Sequence, residues 1–196
     1  MEWPDDAARA VFPRAWRTRM SGLPHAGVPL LGFAAWSGTG KTTLLAALIP
    51  LLKARGLRVG LIKHAHHDFD IDHPGKDSFK LRQAGASPVL VCSARRRALM
   101  TEHPEPVEPT LAVELACLDP TGLDLLLIEG FKREAFPKIE LHRPALGKPL
   151  LFPDDPAIIA IATEADVQLA TGLPRLDINQ PEAVAEFILN RYLSYD

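Results

Sequence analysis

Residues 30–43 read Leu30-Leu-Gly-Phe-Ala-Ala-Trp-Ser-Gly-Thr-Gly-Lys-Thr-Thr43. The apolar run Leu30–Ala35 has the length of a buried strand, and the residues from Leu44 to Arg55 have the length and pattern of a helix. The glycine-containing segment Trp36–Thr43 joins the two. A strand, a glycine loop and a helix in this order predict a loop that binds phosphate groups.

The loop contains the residue types that phosphate binding requires. Its glycines free backbone N–H groups to point inward at phosphate oxygens, and the positive end of the following helix adds to the attraction. At the spacing GxxxxGK[ST], Lys41 reaches the β- and γ-phosphates and the Thr42 hydroxyl ligates Mg²⁺. One position departs from the pattern, because Ala35 stands where the consensus begins with glycine. The motif predicts an α/β fold of the P-loop NTPase type, with a mostly parallel sheet flanked by helices.

A second predicted strand, Arg58–Lys63, runs into a loop rich in histidine and aspartate. Ligands bind beyond the carboxyl ends of the strands in an open α/β sheet, so we expect this loop beside the phosphate loop. Asp68 is the simplest candidate to hold the Mg²⁺ of a bound nucleotide, because Mg²⁺ prefers oxygen ligands. Two alternatives remain open, a solvated polar loop and a transition-metal site built on histidines. The histidines are His64, His66, His67 and His73.

A carboxylate closes a third apolar strand, which runs from Gly122 to Glu129 and is followed by Gly130. This pattern resembles a Walker B strand, whose acid meets the Mg²⁺ shell or orients a water molecule. Glu129 is therefore the candidate catalytic residue. It is also a candidate metal ligand, together with Thr42 and Asp68. Asp124 lies near the beginning of the strand, so we expect it to be a cap or turn residue.

Composition excludes several classes of protein. The chain has 196 residues, of which 47% are hydrophobic, and this is enough for an ordinary core. Its 22 basic and 24 acidic residues give a formal net charge of −2, without the basic excess that nucleic-acid binding needs. The apolar runs are far shorter than the roughly 18 residues of a membrane span. Cys92 and Cys117 form no CxxC pair and suggest no disulfide framework, so a cytoplasmic location is expected.

The chain is predicted to contain one folded domain and a leading segment. Residues 1–27 form a poorly ordered N-terminal extension, with Met20 as the hypothesised biological start, and residues 28–196 form the P-loop nucleotide-binding domain. Apolar runs and helical periodicity predict the remaining elements. The strands are Pro88–Cys92, Lys138–His142, Ala157–Ala162 and Leu176–Ile178, and the helices are Ser78–Gln83 with Asp77 as N-cap, Thr110–Cys117 and Pro181–Tyr192.

Five segments together resemble the MobB family of molybdopterin-guanine dinucleotide biosynthesis adapter proteins. The resemblance covers about residues 28–193 and includes alanine at position 35, the His-His-Asp loop and the Glu-Gly-Phe-Lys segment. The segments are Ala34-Ala-Trp-Ser-Gly-Thr-Gly-Lys-Thr-Thr43, Gly60-Leu-Ile-Lys-His-Ala-His-His-Asp-Phe-Asp-Ile-Asp72, Pro74-Gly-Lys-Asp77, Leu81-Arg-Gln-Ala-Gly-Ala86 and Ile128-Glu-Gly-Phe-Lys132.

The resemblance implies a GTP-binding protein that forms a homodimer and has at most weak GTPase activity. It implies that the partner is a MobA-like molybdenum cofactor guanylyltransferase, which joins GMP to molybdopterin. It also implies that the protein delivers GTP or molybdopterin to that enzyme. The preference for GTP over ATP rests on the resemblance alone, since the chain has no Asn-Lys-x-Asp run and Ala162–Glu164 is a positional guess for the base loop. From the residues alone, a P-loop small-molecule kinase and a metal-chaperone GTPase remain alternatives. The implied nucleotide-binding residues are Ser37, Gly38, Thr39, Gly40, Lys41, Thr42 and Thr43.

Overall fold

A computed structural model describes residues 27–65 and 69–193 of the chain. The chain divides into two compact units. The first contains the described residues up to His64 and from Thr110 onward, and the second contains residues 65–109. The predicted N-terminal extension, with Met20, lies outside the described residues apart from Gly27, so its disorder stays a prediction.

The first unit is built on a six-stranded sheet in which every neighbouring pair of strands is parallel. The strands of the chain are β1 (Leu30–Ala35), β2 (Val59–Lys63), β3 (Val89–Cys92), β4 (Arg97–Met100), β5 (Leu125–Glu129), β6 (Lys138–Leu141), β7 (Ile158–Thr163) and β8 (Arg175–Asp177). The order in the large sheet is β2-β5-β1-β6-β7-β8. This sheet, flanked by helices, confirms the predicted α/β fold.

The helices are short except for the one that follows β1. They are α1 (Lys41–Ala54), α2 (Asp77–Gln83), α3 (Leu111–Cys117) and α4 (Pro181–Phe187), with a 3₁₀ turn at Pro144–Leu146 and a π-helical segment at Ile188–Tyr192. The predicted last helix is therefore divided at Phe187 into an α-helical and a π-helical part. Within the described residues, no helix is long and apolar enough to cross a membrane.

The core lies on both faces of the sheet, because side chains alternate along each strand. Leu31 and Phe33 of β1 pack in one cluster with α1 and α4, whereas Leu30 packs in a second cluster with α3. All six residues of β1 are buried. Burial on both faces explains why the central strands β1 and β5 are nearly continuous apolar runs instead of alternating patterns.

Helix α1 lies between two glycines that begin and end it. Gly40 is its N-cap, and Gly56 follows its end with a φ of 87°. The Gly56 N–H donates to the Lys53 carbonyl and the Leu57 N–H to the Leu52 carbonyl, at 3.0 and 3.2 Å, a Schellman arrangement. The predicted end of the helical run at Arg55 is confirmed to within one residue.

The second unit contains helix α2 and an antiparallel hairpin of β3 and β4. Strand β4 was not predicted, and the helix begins one residue earlier than expected. Lys76, not Asp77, occupies the N-cap position, so the predicted cap at Asp77 is wrong. Asp77 lies in the first turn, where its negative charge interacts favourably with the positive end of the helix dipole.

Candidate nucleotide-binding site

The glycine loop between β1 and α1 adopts the backbone conformation that its sequence suggests. Gly38 and Gly40 have φ values of 81° and 98°, a region that residues with a side chain rarely adopt. No described side chain caps the N-terminus of α1. The N–H groups of its first turn are therefore available to a ligand, and this end of the helix attracts anions.

Thr39 is buried and forms a hydrogen bond within the loop. Its side chain is 2% exposed, and its hydroxyl donates to the Trp36 carbonyl at 2.7 Å. Its own carbonyl accepts a hydrogen bond of 3.1 Å from Arg143 Nε. Thr39 was predicted to bind nucleotide, and the contacts of its side chain are with the loop itself. Ser37 and Gly38 are exposed beside it.

The predicted lysine, threonine and glutamate come together at the start of α1. The Thr42 hydroxyl donates to Glu129 Oε1 at 3.3 Å, and Lys63 Nζ lies 3.3 Å from Glu129 Oε2. Burial lowers the pKa of Lys41; the Glu129 charge opposes this shift, while the charges of Lys63 and Lys132 add to it. Lys41 is therefore influenced by one carboxylate and two further lysine charges, which leaves an excess of positive charge for an anionic ligand.

The position of Glu129 depends on an unusual turn directly after β5. Glu129 is 8% exposed at the end of the strand, and Gly130 follows with a φ of 104°. A Cβ atom on Gly130 would lie 2.6 Å from the Cβ of His64. Phe131 also has a positive φ, 48°, and its ring stacks on His64 with centroids 4.9 Å apart. The close approach of β2 and β5 therefore requires glycine here.

Sequence reasoning missed Arg143, which connects three separate segments. Its guanidinium donates to the Thr39 carbonyl, to Glu164 Oε1 at 2.7 Å and to Asn179 Oδ1 at 3.0 Å. The sequence around Arg143 does not indicate this role, because its hydrogen-bond partners are far from it in the chain. Arg143 therefore connects the phosphate loop by hydrogen bonds to the loops that follow β7 and β8.

Trp36, Lys132 and Lys148 form the outer wall of the loop. The indole N–H donates to the Pro149 carbonyl at 2.8 Å, and Lys132 Nζ lies 4.6 Å from the centre of the ring. Lys148 Nζ lies 5.9 Å from the same ring. Lys132 is held near the loop because its carbonyl accepts a 3.0 Å hydrogen bond from the buried Lys138. The wall adds to the positive charge of the site.

The structure brings two of the three predicted metal ligands together. Thr42 and Glu129 are adjacent, whereas Asp68, His66 and His67 lie outside the described residues. Among residues 27–65 and 69–193, no group of three or more histidine, cysteine, aspartate or glutamate side chains is placed to hold a metal. The role of Asp68 and the transition-metal alternative stay predictions.

Comparison with known proteins identifies the family. The family model described as "MobB: Molybdopterin guanine dinucleotide synthesis protein B" matches residues 30–164. The chain belongs to the MobB family. This match confirms the resemblance that the sequence motifs indicate. The matched part of the chain extends from the first residue of β1 to Glu164, and it includes the phosphate loop and Glu129.

Individual MobB relatives agree with the family match. The molybdopterin-guanine dinucleotide biosynthesis adapter protein of Escherichia coli (strain K12) is 52% identical, over 83% of this chain and 92% of the relative. The adapter protein of the same name from Haemophilus influenzae is 46% identical, over 83% of this chain and 89% of the relative. A crystal structure of molybdopterin-guanine biosynthesis protein B (mobB) has 26% identity, a TM-score of 0.62, and covers 82% of this chain and 97% of its own.

Proposed function

We propose that this MobB-family chain binds GTP with Mg²⁺ at the phosphate loop and acts as an adapter in molybdopterin-guanine dinucleotide synthesis. The geometry of the loop is the observation that supports nucleotide binding most strongly. Left-handed Gly38 and Gly40 lead into an uncapped helix, and Lys41 stands at its first position. Backbone N–H groups, a helix N-terminus and an ammonium group together bind the phosphates.

The chemistry of Thr42 and Glu129 fits Mg²⁺. Both residues offer oxygen ligands, and Thr42 Oγ1 and Glu129 Oε1 lie 3.3 Å apart. Mg²⁺ bound with a nucleotide needs few protein ligands, because phosphates and water complete its shell. When bound, the ion neutralises charge on the β- and γ-phosphates. Thr42 would then hold the ion directly, and Glu129 would hold it directly or through water.

The partners of Glu129 support at most weak GTP hydrolysis. One carboxylate oxygen accepts from Thr42 and the other pairs with Lys63, at 3.3 Å each. A carboxylate whose two oxygens already contact a hydroxyl and an ammonium group is poorly placed to accept a proton from an attacking water. GTP binding, more than GTP turnover, is therefore the proposed activity.

The adapter role rests on family membership together with this site. The Escherichia coli and Haemophilus influenzae relatives are named molybdopterin-guanine dinucleotide biosynthesis adapter proteins. We infer that the chain works as a homodimer in the cytoplasm and presents GTP or molybdopterin to a MobA-like guanylyltransferase. Co-purification of that enzyme with the full chain tests the partner, and assays with small-molecule acceptors distinguish an adapter from a kinase.

Lys41→Ala tests the nucleotide site. We expect GTP affinity, measured by calorimetry in the presence of Mg²⁺, to fall about tenfold to hundredfold. The reason is that hydrogen bonds to charged groups contribute about 1.5–3 kcal/mol. Lys53→Ala is the matched control, since Lys53 is an exposed lysine in the last turn of the same helix. Equal GTP affinity in the Lys41 variant and the parent chain would refute the site.

A further inference from the structure

An indole ring with two ammonium groups over it lies at the beginning of the phosphate loop. Trp36 is half-buried, Lys132 and Lys148 are exposed, and the three form the outer wall of the loop. We propose that the outer wall binds a second ligand, a fused-ring heterocycle that carries a phosphate group, while the nucleotide occupies the phosphate loop. This inference rests on the proposed function, because the adapter role supplies a molecule of this class, the phosphorylated pterin molybdopterin.

The ring of the outer wall lies on the face of the sheet opposite α1. Both neighbours of Glu140 in β6 pack in the cluster that contains α1, so the Glu140 side chain points to the other face. Its carboxylate accepts hydrogen bonds from the Leu151 and Phe152 N–H groups, at 2.7 and 2.9 Å. The same segment offers the Pro149 carbonyl to the Trp36 indole N–H, at 2.8 Å. A ligand stacked on the indole is therefore separate from phosphates bound at the start of α1.

Two buried charged residues of β6 hold the segments on either side of the ring. Glu140 is 0% exposed and fixes the segment that leads to its two N–H donors. Lys138 is 1% exposed, and its ammonium group donates to the Lys132 and Glu134 carbonyls and pairs with Asp155 at 2.7 Å. Burying charges costs free energy, and apolar side chains would serve the core alone. These residues therefore keep the outer wall formed before a ligand binds.

The ammonium groups of the outer wall are available to an anion. Within residues 27–65 and 69–193, neither Lys132 nor Lys148 forms an ion pair with a carboxylate. The carboxylate at the end of β5, Glu129, already contacts Thr42 and Lys63. The charge of Lys132 is nevertheless felt at Lys41, where it contributes to the lowered pKa. An anion on the outer wall would therefore lie within electrostatic reach of the phosphate loop.

An exposed indole beside free ammonium groups matches a phosphorylated heterocycle in both of its parts. Aromatic side chains stack on flat heterocycles whatever their ring substituents, because every such ring has a π face. Lys132 Nζ and Lys148 Nζ lie 4.6 and 5.9 Å from the ring centre and occupy that surface in the free chain. Both side chains are long and flexible, so a stacked ring can replace them on the indole while they move to its phosphate.

Three probes separate the contribution of the ring from that of the phosphate. Neopterin monophosphate has both groups, neopterin has the ring alone, and glycerol phosphate has the phosphate alone. Calorimetry measures their affinities for the full chain while a non-hydrolysable GTP analogue and Mg²⁺ saturate the phosphate loop. We expect neopterin monophosphate to bind at least tenfold more tightly than either other probe, because stacking and charge contacts then act on one molecule.

Variants of the outer wall identify the side chains that bind the probe. Trp36→Leu should weaken neopterin monophosphate at least tenfold, whereas Trp36→Phe, which keeps an aromatic face, should remain within about fivefold of the parent chain. Lys148→Gln should weaken neopterin monophosphate several-fold and change neopterin by no more than about twofold, since only the phosphate contacts the charge. Lys53→Gln, in the last turn of α1, is the matched control for a lost lysine charge.

The outcomes separate this inference from the proposed function. If the GTP analogue does not bind but neopterin monophosphate binds in a Trp36-dependent way, the proposed function is wrong and the ligand site stands. If the analogue binds, and neopterin monophosphate fails to bind or binds Trp36→Leu as tightly as the parent chain, only the ligand site is overturned. Displacement of the probe by the analogue would place it in the phosphate loop and overturn the site as well.

A protein partner on the same surface is the remaining outcome. If neopterin monophosphate never binds, but Trp36→Leu and Lys148→Gln no longer co-purify with the MobA-like enzyme, the outer wall docks a protein. That result would contradict the proposed small-molecule site.

Discussion

At the residue scale, Gly130 controls the approach of β2 to β5. We expect Gly130→Ala to lower the free energy of unfolding by about 2 kcal/mol or more, since its φ of 104° and the His64 side chain both oppose a Cβ atom. GTP affinity should fall as well, because Glu129 precedes the glycine. Urea unfolding and calorimetry measure the two effects.

Gly172→Ala is the matched control for this substitution. A Cβ atom on Gly172 would meet no atom beyond its chain neighbours within 4 Å, and the backbone there is not left-handed. Its replacement should change the unfolding free energy by no more than about 0.5 kcal/mol. Equal stability of both alanine variants would contradict the argument that β2 and β5 require glycine at this turn.

Glu129 is the second residue whose role can be tested at this scale, because its contribution to Mg²⁺ binding can be measured separately from GTP binding. Glu129→Gln keeps the shape of the side chain but removes its charge, so we expect GTP binding to persist and its dependence on Mg²⁺ to weaken about tenfold or more. The measurement is the ratio of GTP affinities with Mg²⁺ and with a chelator. Glu114→Gln on α3 controls for the charge change. An unaltered ratio in the Glu129 variant would exclude this residue from the metal site.

Single residues were predictable where their role follows from local pattern. Lys41, Thr42 and Gly40 occupy a loop whose spacing alone indicates their chemistry, and the structure brings Thr42 to Glu129. Arg143 was not predictable, because its role exists only once Thr39 and Glu164 have been brought to it by the fold. Lys63 and Lys132 were missed for the same reason.

At the element scale, the beginnings of β2 and β5 are joined by an ion pair. The Arg58 side chain donates two 3.0 Å hydrogen bonds to Asp124, whose carboxylate also accepts from the Arg58 N–H at 2.7 Å. These bonds lower the pKa of Asp124 from 3.8 to about 2. The ionised carboxylate therefore stabilises the folded chain above about pH 4, and this stabilisation is lost as the pH falls toward 2.

Asp124→Asn measures this contribution. Because the Arg58 and Asp124 side chains are 64% and 34% exposed, solvent screens the pair and the loss at pH 7 should be about 1 kcal/mol or less. The difference between parent and variant should shrink as the pH falls from about 4 to about 2. Asp154→Asn, in an exposed turn, serves as control. A difference that persists unchanged at pH 2 would contradict the pKa assignment.

Strands were predictable where the sequence forms a continuous apolar run. The buried strands β1 and β5 are continuous apolar runs, and their predicted positions are confirmed. Strand β4 was missed because it begins at Arg97, in a run of three arginines, and alternates between exposed and half-buried residues. Its partner β3 supplies the hydrogen bonds that the sequence does not reveal.

At the scale of the whole molecule, nucleotide binding should stabilise the first unit. The loop after β1, the end of β5 and Arg143 after β6 all belong to it. A ligand at about 100 times its Kd adds about 2.7 kcal/mol, which for a chain of this size raises the thermal midpoint by about 5–11 °C. Thermal unfolding with GTP and Mg²⁺ measures the shift, and Lys41→Ala should reduce it to about half or less at the same GTP concentration. A shift of the same size in that variant would place binding elsewhere.

The strand order also determines when, during synthesis, the phosphate loop can become functional. Strand β1 pairs with β5 and β6, both from the second half of the chain, and the Tyr192 hydroxyl donates to the Leu30 carbonyl. Contacts between such distant segments close large loops and slow folding. The loop leaves the ribosome early but has no sheet to support it until residue 141 has emerged. A nascent chain halted before β5 should therefore be unable to retain nucleotide.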